Sequence, residues 1–338
     1  MTGRKTPMPI VHLEGIGDEA EQRREYPAFP VEIGALRFSV DEADRAEWLV
    51  ATNVFSAFGT RVPSGRRILV VREPSAGYPA EFINQFGVLL SPKAIPGYRG
   101  RWHQGHAAHS PFFGIDFSGG CARSRPDFGA LMAMRPPEKR SAISAVVSKK
   151  SILPGHRRRL EFLRRLKVAL GTRLNIFGNG FAEIADKADA ILPYQYHLVL
   201  ENTSMPGYWT EKLVDAYLGY SFPIVSGAPD LERWFPVDSF ERIDLDDIDA
   251  SVETVLRILA SDAFEKRRGL IEQARDRMMR EERLCHVIAR IIAADPDSSP
   301  QLTQPEIILA VPRPAILALA KREIARAWWR AEVWTRSR

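Results

Sequence analysis

Residues 194–240 read YQYHLVLENTSMPGYWTEKLVDAYLGYSFPIVSGAPDLERWFPVDSF. The apolar run 196–200 has the length of one buried strand and ends in the polar pair Glu201-Asn202. A loop with Gly207-Tyr208 follows, then a helix over 210–218 whose first turn carries Thr210-Glu211-Lys212. A second apolar run, 222–225, comes directly after it. Strand, helix and strand in that order predict a parallel sheet with covering helices. Polar groups at the carboxyl end of a strand and the amino end of the next helix are where open α/β sheets bind ligands, because backbone N–H groups and the helix dipole converge there. Lys212 is an odd choice for that turn, since a cation is disfavoured near a helix N-terminus. A bound anion would remove the conflict; the other reading is that Thr210 caps the helix and Lys212 is solvated.

The alternation continues on both sides. Upstream, strands at 142–148 and 174–177 flank a helix over 157–170, and the turn Gly178-Asn179-Gly180 closes the second strand. That helix gathers Leu160, Leu163 and Leu166 near one face, with Arg157, Arg158, Arg159, Arg164 and Arg165 elsewhere. Downstream come two helical stretches, about 251–260 and 264–292. In the N-terminal third, a strand at 9–13, β-rich runs at 48–52 and 67–71, a helix-like stretch at 79–86 and another run at 87–90 repeat the pattern. Residues 92–137, rich in Gly, Pro, His and aromatics, read as a loop, and loops of that length inside a domain usually carry function. The expected division is 1–138, 139–300, and a Pro-rich linker with a tail over 301–338.

Composition excludes several classes. A chain of 338 residues with 45% hydrophobic and 26% charged residues is globular rather than disordered or collagenous. No apolar run approaches the roughly 18 residues that cross a bilayer. Residues 1–10 carry two basic residues but no apolar core, so they do not read as a secretory signal. A cytoplasmic location is expected, with Cys121 and Cys285 as reduced thiols. The net charge is +5, and 301–338 holds seven Lys or Arg against three Glu, which leaves the rest nearly neutral. A body without a basic excess argues against nucleic acid as a partner. Within the tail, Ile316, Ile324, Trp328 and Trp334 share one helical face and Arg322, Arg326 and Arg330 the opposite one. That is the pattern of a basic amphipathic helix on an anionic membrane surface, spanning Ala315 to Arg338; a helix docked on the protein's own body is the other reading.

Taken together, Leu198 to Glu201-Asn202, Tyr208, Thr210-Glu211-Lys212, Pro223-Ile224, Gly227 and Ser239-Phe240 resemble the donor-binding signature of glycosyltransferase family 10, the α-1,3/4-fucosyltransferases, of bacterial type. Ser148-Lys149-Lys150, the Arg159-x-x-Phe162 helix and 176–180 extend the likeness upstream. The strand at 68–71 with the turn Arg72-Glu73-Pro74 resembles the family's acceptor domain more weakly. Arg72 stands where many members have Gly, and a neighbouring cation would lower the basicity of Glu73.

The resemblance implies an α/β fold of the GT-B kind, two Rossmann-like domains facing each other across a cleft, with the amphipathic helix appended. It implies inverting transfer of fucose from GDP-fucose to a hydroxyl of a GlcNAc- or Glc-type glycan in α-1,3 linkage, without a metal or other cofactor. Cell-surface polysaccharide synthesis, such as that of lipopolysaccharide, would be the setting, with the tail holding the protein peripherally on the inner membrane face. Glu73 would be the general base, and Glu211 would sit near the sugar. Arg159 and Lys212 would hold the diphosphate, and Ser148, Gly178, Glu201, Asn202 and Tyr208 the rest of the donor. Trp102, His103 and Phe112 are expected to line the acceptor cleft, since sugar rings pack on aromatic faces. Two alternatives stay open: a transferase of this fold using another GDP-sugar, and a non-catalytic protein that binds sugar nucleotides or glycans. His103, His106 and His109 define no coordination geometry in such a loop. Asp244-Leu245-Asp246 reads as an acidic strand end rather than a metal-binding Asp-x-Asp.

Overall fold

Continuous apolar strands need cover on both faces, and the chain supplies it twice. The computed structural model describes residues 8–15, 25–26, 28–52, 54, 56–72, 78–116, 123–124, 126–149, 151, 154–294 and 296–310. Described residues up to 108 and from 283 onward make one unit, and 109–282 make the other.

The first unit is built on β1 (Ile10–Glu14), β2 (Val31–Ile33), β3 (Leu36–Ser39), β4 (Trp48–Ala51), β6 (Arg67–Val70), β7 (Val88–Ser91) and β8 (Arg101–Gln104). Their order is β2-β3-β1-β4-β6-β7-β8. Only the edge strand β2 runs antiparallel to its neighbour. Val11, Val50 and Ile68 face a core completed by Cys285 and Ile288 of helix α8 (Leu284–Ala294), while Leu49, Leu69 and Leu89 face Phe82 and Phe86 on the other side. The short helix α1 (Ala80–Ile83) carries Phe82. The Cys285 thiol is buried, and burial pushes its pKa up to about 12.

The second unit holds β11 (Arg140–Val146), β12 (Leu174–Phe177), β13 (Tyr194–Leu200), β14 (Phe222–Ser226) and β15 (Glu241–Arg242), all parallel, in the order β12-β11-β13-β14-β15. Helices α3 (Pro154–Leu170), α4 (Lys187–Ile191), α5 (Glu211–Leu218), α6 (Ile248–Leu259) and α7 (Ala263–Arg280) cover it. On α3, Phe162, Leu163 and Leu166 enter the core. Arg164 and Arg165 pair with Glu161, and Arg158 with Asp246, on the exposed side. Both units are therefore α/β with mainly parallel sheets, as the alternating pattern requires.

Several expectations change. Residues 92–137 are not featureless: they contain β8, the antiparallel pair β9 (Ile115–Asp116) and β10 (Arg123–Ser124), and helix α2 (Phe128–Ala133). The structural division falls at 108/109 rather than near 139, because Phe113 and Leu131 pack into the second core. The helix expected over 264–292 breaks after Arg280, and its second half, α8, returns to the first unit. The stretch expected as a linker is fastened. Strand β16 (Glu306–Ile308) pairs with β5 (Phe58–Thr60), Glu306 meets Arg67 at 2.5 Å, and the Leu302 N–H donates to the Arg61 carbonyl at 2.9 Å. The tail Ala315 to Arg338 and Cys121 lie outside the described residues. Among the described residues no helix is long and apolar enough to cross a membrane.

Inside the second sheet, His197 on β13 shares a 2.8 Å hydrogen bond with Ser144 on β11. Burial, then Lys187 and Lys139, brings its pKa down to about 3, so the imidazole is neutral when folded. An unfolded histidine takes up its proton near pH 6.5. Between those values the unfolded chain binds more protons, so stability falls as the pH drops from about 6.5 toward 3. His197→Gln should lose less stability than the unsubstituted chain between pH 7 and pH 5, measured by urea unfolding; parallel losses would contradict this account.

Candidate functional site

The strand order of the second sheet reverses at β11: β12 lies on one side of it and β13 on the other. The carboxyl ends of β11 and β13 thus diverge into loops on opposite faces and leave a crevice, the usual ligand position in such sheets. Ser148 follows β11, Gly178 follows β12, Glu201-Asn202 follow β13 and Gly227 follows β14. Gly178 has φ +106°, and a Cβ there would lie 2.3 Å from the Val147 carbonyl oxygen, so only glycine fits. Gly155, not singled out from sequence, lets the first turn of α3 approach β13's end: a Cβ would lie 2.8 Å from the Asn202 carbonyl oxygen.

That approach brings Arg159 into the crevice. Arg159 is 5% exposed. Its Nη1 donates to Asn202 Oδ1 at 3.1 Å and its Nη2 to the Ser148 carbonyl at 3.4 Å, while Nε is buried without a partner. Burial depresses its pKa and the Glu201 charge works against that. A guanidinium stays protonated in proteins, so this is a buried cation whose hydrogen-bond acceptors are neutral oxygens.

Glu201 is engaged on both oxygens. Oε1 accepts from the Thr210 N–H at 2.9 Å and the Thr210 hydroxyl at 2.6 Å, and Oε2 lies 3.0 Å from Lys212 Nζ. Its side chain is 1% exposed. Lys212 Nζ also reaches Thr210 Oγ1 at 2.9 Å and Glu211 Oε1 at 3.4 Å. Burial alone would lower the lysine's pKa, but Glu201, Glu211 and Tyr208 outweigh it and hold the ammonium charged. The cation in the first turn of α5 is thus neutralised by two carboxylates, and Thr210 caps the helix through the Lys212 N–H. Tyr208 is buried in the loop between Glu201 and Thr210, beside Gly207, whose N–H donates to Asp230 Oδ1 at 2.8 Å.

Two residues escaped the sequence reading. Lys187 on α4 lies 2.8 Å from Asp215 Oδ2 and 4.0 Å from Glu211 Oε1. Asp215 Oδ1 accepts the N–H groups of Phe112 and Phe113 at 2.7 and 2.8 Å. Lys187 Nζ stands 4.8 Å above the Phe112 ring. The expected acceptor residues are therefore divided. Phe112 belongs to the second unit, beside Lys187, whereas Trp102 and His103 lie on β8 of the first. Trp102 is 40% exposed and its Nε1 donates to Ser91. Glu73 lies outside the described residues. His106 is buried, its Nδ1 accepting the Ala108 N–H. Asp244 accepts the Asp246 N–H, and among the described residues no three His, Cys, Asp or Glu side chains are grouped to hold a metal ion.

Residues 136–267 match the family described as Glycosyltransferase family 10 (fucosyltransferase) C-term. A 73-residue stretch is 32% identical to the Alpha-(1,3)-fucosyltransferase FucT of Helicobacter pylori, covering 21% of this chain and 15% of that protein. A 118-residue stretch is 26% identical to a fucosyltransferase-like protein of Arabidopsis thaliana, covering 35% of this chain and 23% of that one. The matches thus span less than a quarter of either relative's length. A solved α1,3-fucosyltransferase with GDP-fucose aligns at TM-score 0.49 and 15% identity, covering 89% of this chain and 94% of that one. The matched segment 136–267 holds β11 to α6 with Arg159, Glu201, Glu211 and Lys212, and it is this part of the chain that is similar to glycosyltransferase family 10, the fucosyltransferases.

Proposed function

We propose that the chain is an inverting fucosyltransferase that moves fucose from GDP-fucose to a hydroxyl of a GlcNAc- or Glc-type glycan in α-1,3 linkage. The observation that carries this reading is Arg159, a buried cation on neutral acceptors at the sheet's switch point. Its planar fork matches the oxygens of a diphosphate, which would supply the missing negative charge. Lys212 already spends its three donors on Glu201, Thr210 and Glu211, so its contribution to the departing GDP is its field, with its longest contact, 3.4 Å to Glu211, the one most easily exchanged.

In this reading the fold is of the GT-B kind, the first α/β unit carrying the acceptor and the second the donor. The acceptor hydroxyl oxygen attacks the anomeric carbon, the bond from that carbon to the β-phosphate oxygen breaks, and Glu73 takes the hydroxyl proton. Arg159 and Lys212 offset the charge on the leaving GDP, and Glu211 offsets the positive charge that develops on the sugar. No metal is assigned a step. Ser148, Gly178, Asn202 and Tyr208 shape the donor pocket, while Glu201 holds Lys212 and the start of α5 in place. Trp102, His103 and Phe112 are kept as acceptor contacts. The basic amphipathic pattern of Ala315 to Arg338 supports a peripheral site on an anionic cytoplasmic membrane face, where acceptors for bacterial cell-surface polysaccharide such as lipopolysaccharide are built.

Isothermal calorimetry with GDP-fucose, GDP-mannose and GDP tests the donor: GDP-fucose and GDP should bind, and GDP-mannose more weakly. Tighter binding of GDP-mannose would move the assignment to another sugar, and binding without any transfer to glycan would leave a silent binder. Glu73→Gln should cut turnover by about a hundredfold or more, within the usual range for loss of a general base. Turnover like that of the unsubstituted chain would remove Glu73 from the mechanism.

A further inference from the structure

Glu211 and Asp215 are four residues apart on α5, so their side chains lie on one face, one turn apart. Both are buried, Glu211 at 8% and Asp215 at 1% exposure. Two carboxylates in that relation disfavour each other's ionisation unless a cation stands between them. Lys187 is that cation, 4.0 Å from Glu211 and 2.8 Å from Asp215. It belongs to a different helix, α4, and its ammonium is fixed by Asp215 on one side and the Phe112 ring on the other.

A line of alternating charge results: Glu201, Lys212, Glu211, Lys187, Asp215. The end carboxylates are saturated by backbone donors, Glu201 by the Thr210 N–H and Asp215 by those of Phe112 and Phe113. The middle carboxylate has the two longest lysine contacts, 3.4 and 4.0 Å. Among the charged groups of the described residues that face it are Lys212 on its own helix, Glu201 from the end of β13, Lys187 from α4, and Asp215, whose own carboxyl is pushed up by burial and by Glu211 and held down by Lys187. His197 feels the Lys187 charge and is neutral.

We propose that Lys187 is a positioning residue that keeps the Glu211 carboxylate ionised and in place for the transfer step. The part concerning transfer rests on the fucosyltransferase reading; the part concerning ionisation does not. Lys187→Gln, which removes the charge but can still hydrogen-bond Asp215, is the primary variant, and Lys187→Arg restores the charge. With GDP-fucose as donor, Lys187→Gln should lower kcat at pH 7 by about tenfold or more. It should also move the acid limb of the kcat profile up by about one pH unit, the low end of what an opposite charge at this distance does. Lys187→Arg should recover most of both. In a Glu211→Gln background, Lys187→Gln should cost nothing further. An unmoved acid limb, or the same loss with and without Glu211, would overturn the proposal.

A readout without turnover keeps the two readings apart. Glutamate carboxyl-13C titration by NMR, with the Glu211 resonance assigned by its loss in Glu211→Gln, should show a higher midpoint in Lys187→Gln than in the unsubstituted chain. If the unsubstituted chain transfers no fucose, the transfer reading fails while this titration still decides the role of Lys187: an unchanged midpoint overturns it. Should Lys187→Gln not fold, Lys187→Met, which also removes the charge, takes its place, a raised Glu211 midpoint upholding the charge role and an unchanged one overturning it.

Discussion

A carboxylate taken from water costs several kcal/mol unless its oxygens find donors and a counter-charge. Glu201 meets that demand with three groups from the next element: the Thr210 N–H, the Thr210 hydroxyl and the Lys212 ammonium. The end of β13 and the start of α5 are therefore locked together across the loop that holds Tyr208. The same contacts set the direction of α5, which carries Glu211 toward Lys187 and Asp215 toward Phe112 and Phe113. They also explain a lysine in the first turn of a helix. Two carboxylates neutralise it, and a ligand is not needed to make its position tolerable.

With Lys212 and Lys187 both taken up by carboxylates, Arg159 at the strand ends faces neutral oxygens, as the buried Arg275 does on the carbonyls of Leu131 and Leu218. Its position depends on two packing constraints rather than on charge. Gly155 brings α3 against Asn202, and Gly178 leaves room for the Val147 carbonyl at the end of β11. The net charge of +5 could not have disclosed this site, because the cluster around it is nearly balanced.

Strands whose apolar side chains are buried on both faces were legible in the sequence. The runs at 48–52, 67–71 and 222–225 became β4, β6 and β14 within a residue or two. Edge strand β8, Arg-Trp-His-Gln, was not, since its partly exposed polar residues look like loop. The break between α7 and α8 falls at Arg280-Glu281-Glu282-Arg283, where no Gly or Pro marks it, and packing on two different cores separates the halves. In the site, Thr210, Glu211 and Lys212 are contiguous and could be read as a motif. Lys187 and Asp215 are 28 residues apart, so nothing short of the folded sheet and its helices could pair them. Glu201 was legible as a site residue, but its saturation by α5 was not, because that depends on the loop bringing Thr210 back over the strand end.

The central claim is that Arg159 is the group waiting for a diphosphate. Calorimetric titration of Arg159→Gln with GDP and with guanosine tests it most directly. Losing charge-assisted bonds of about 1.5 to 3 kcal/mol should weaken GDP binding by roughly ten- to a hundredfold, and guanosine binding should not change. GDP affinity equal to that of the unsubstituted chain would contradict the account.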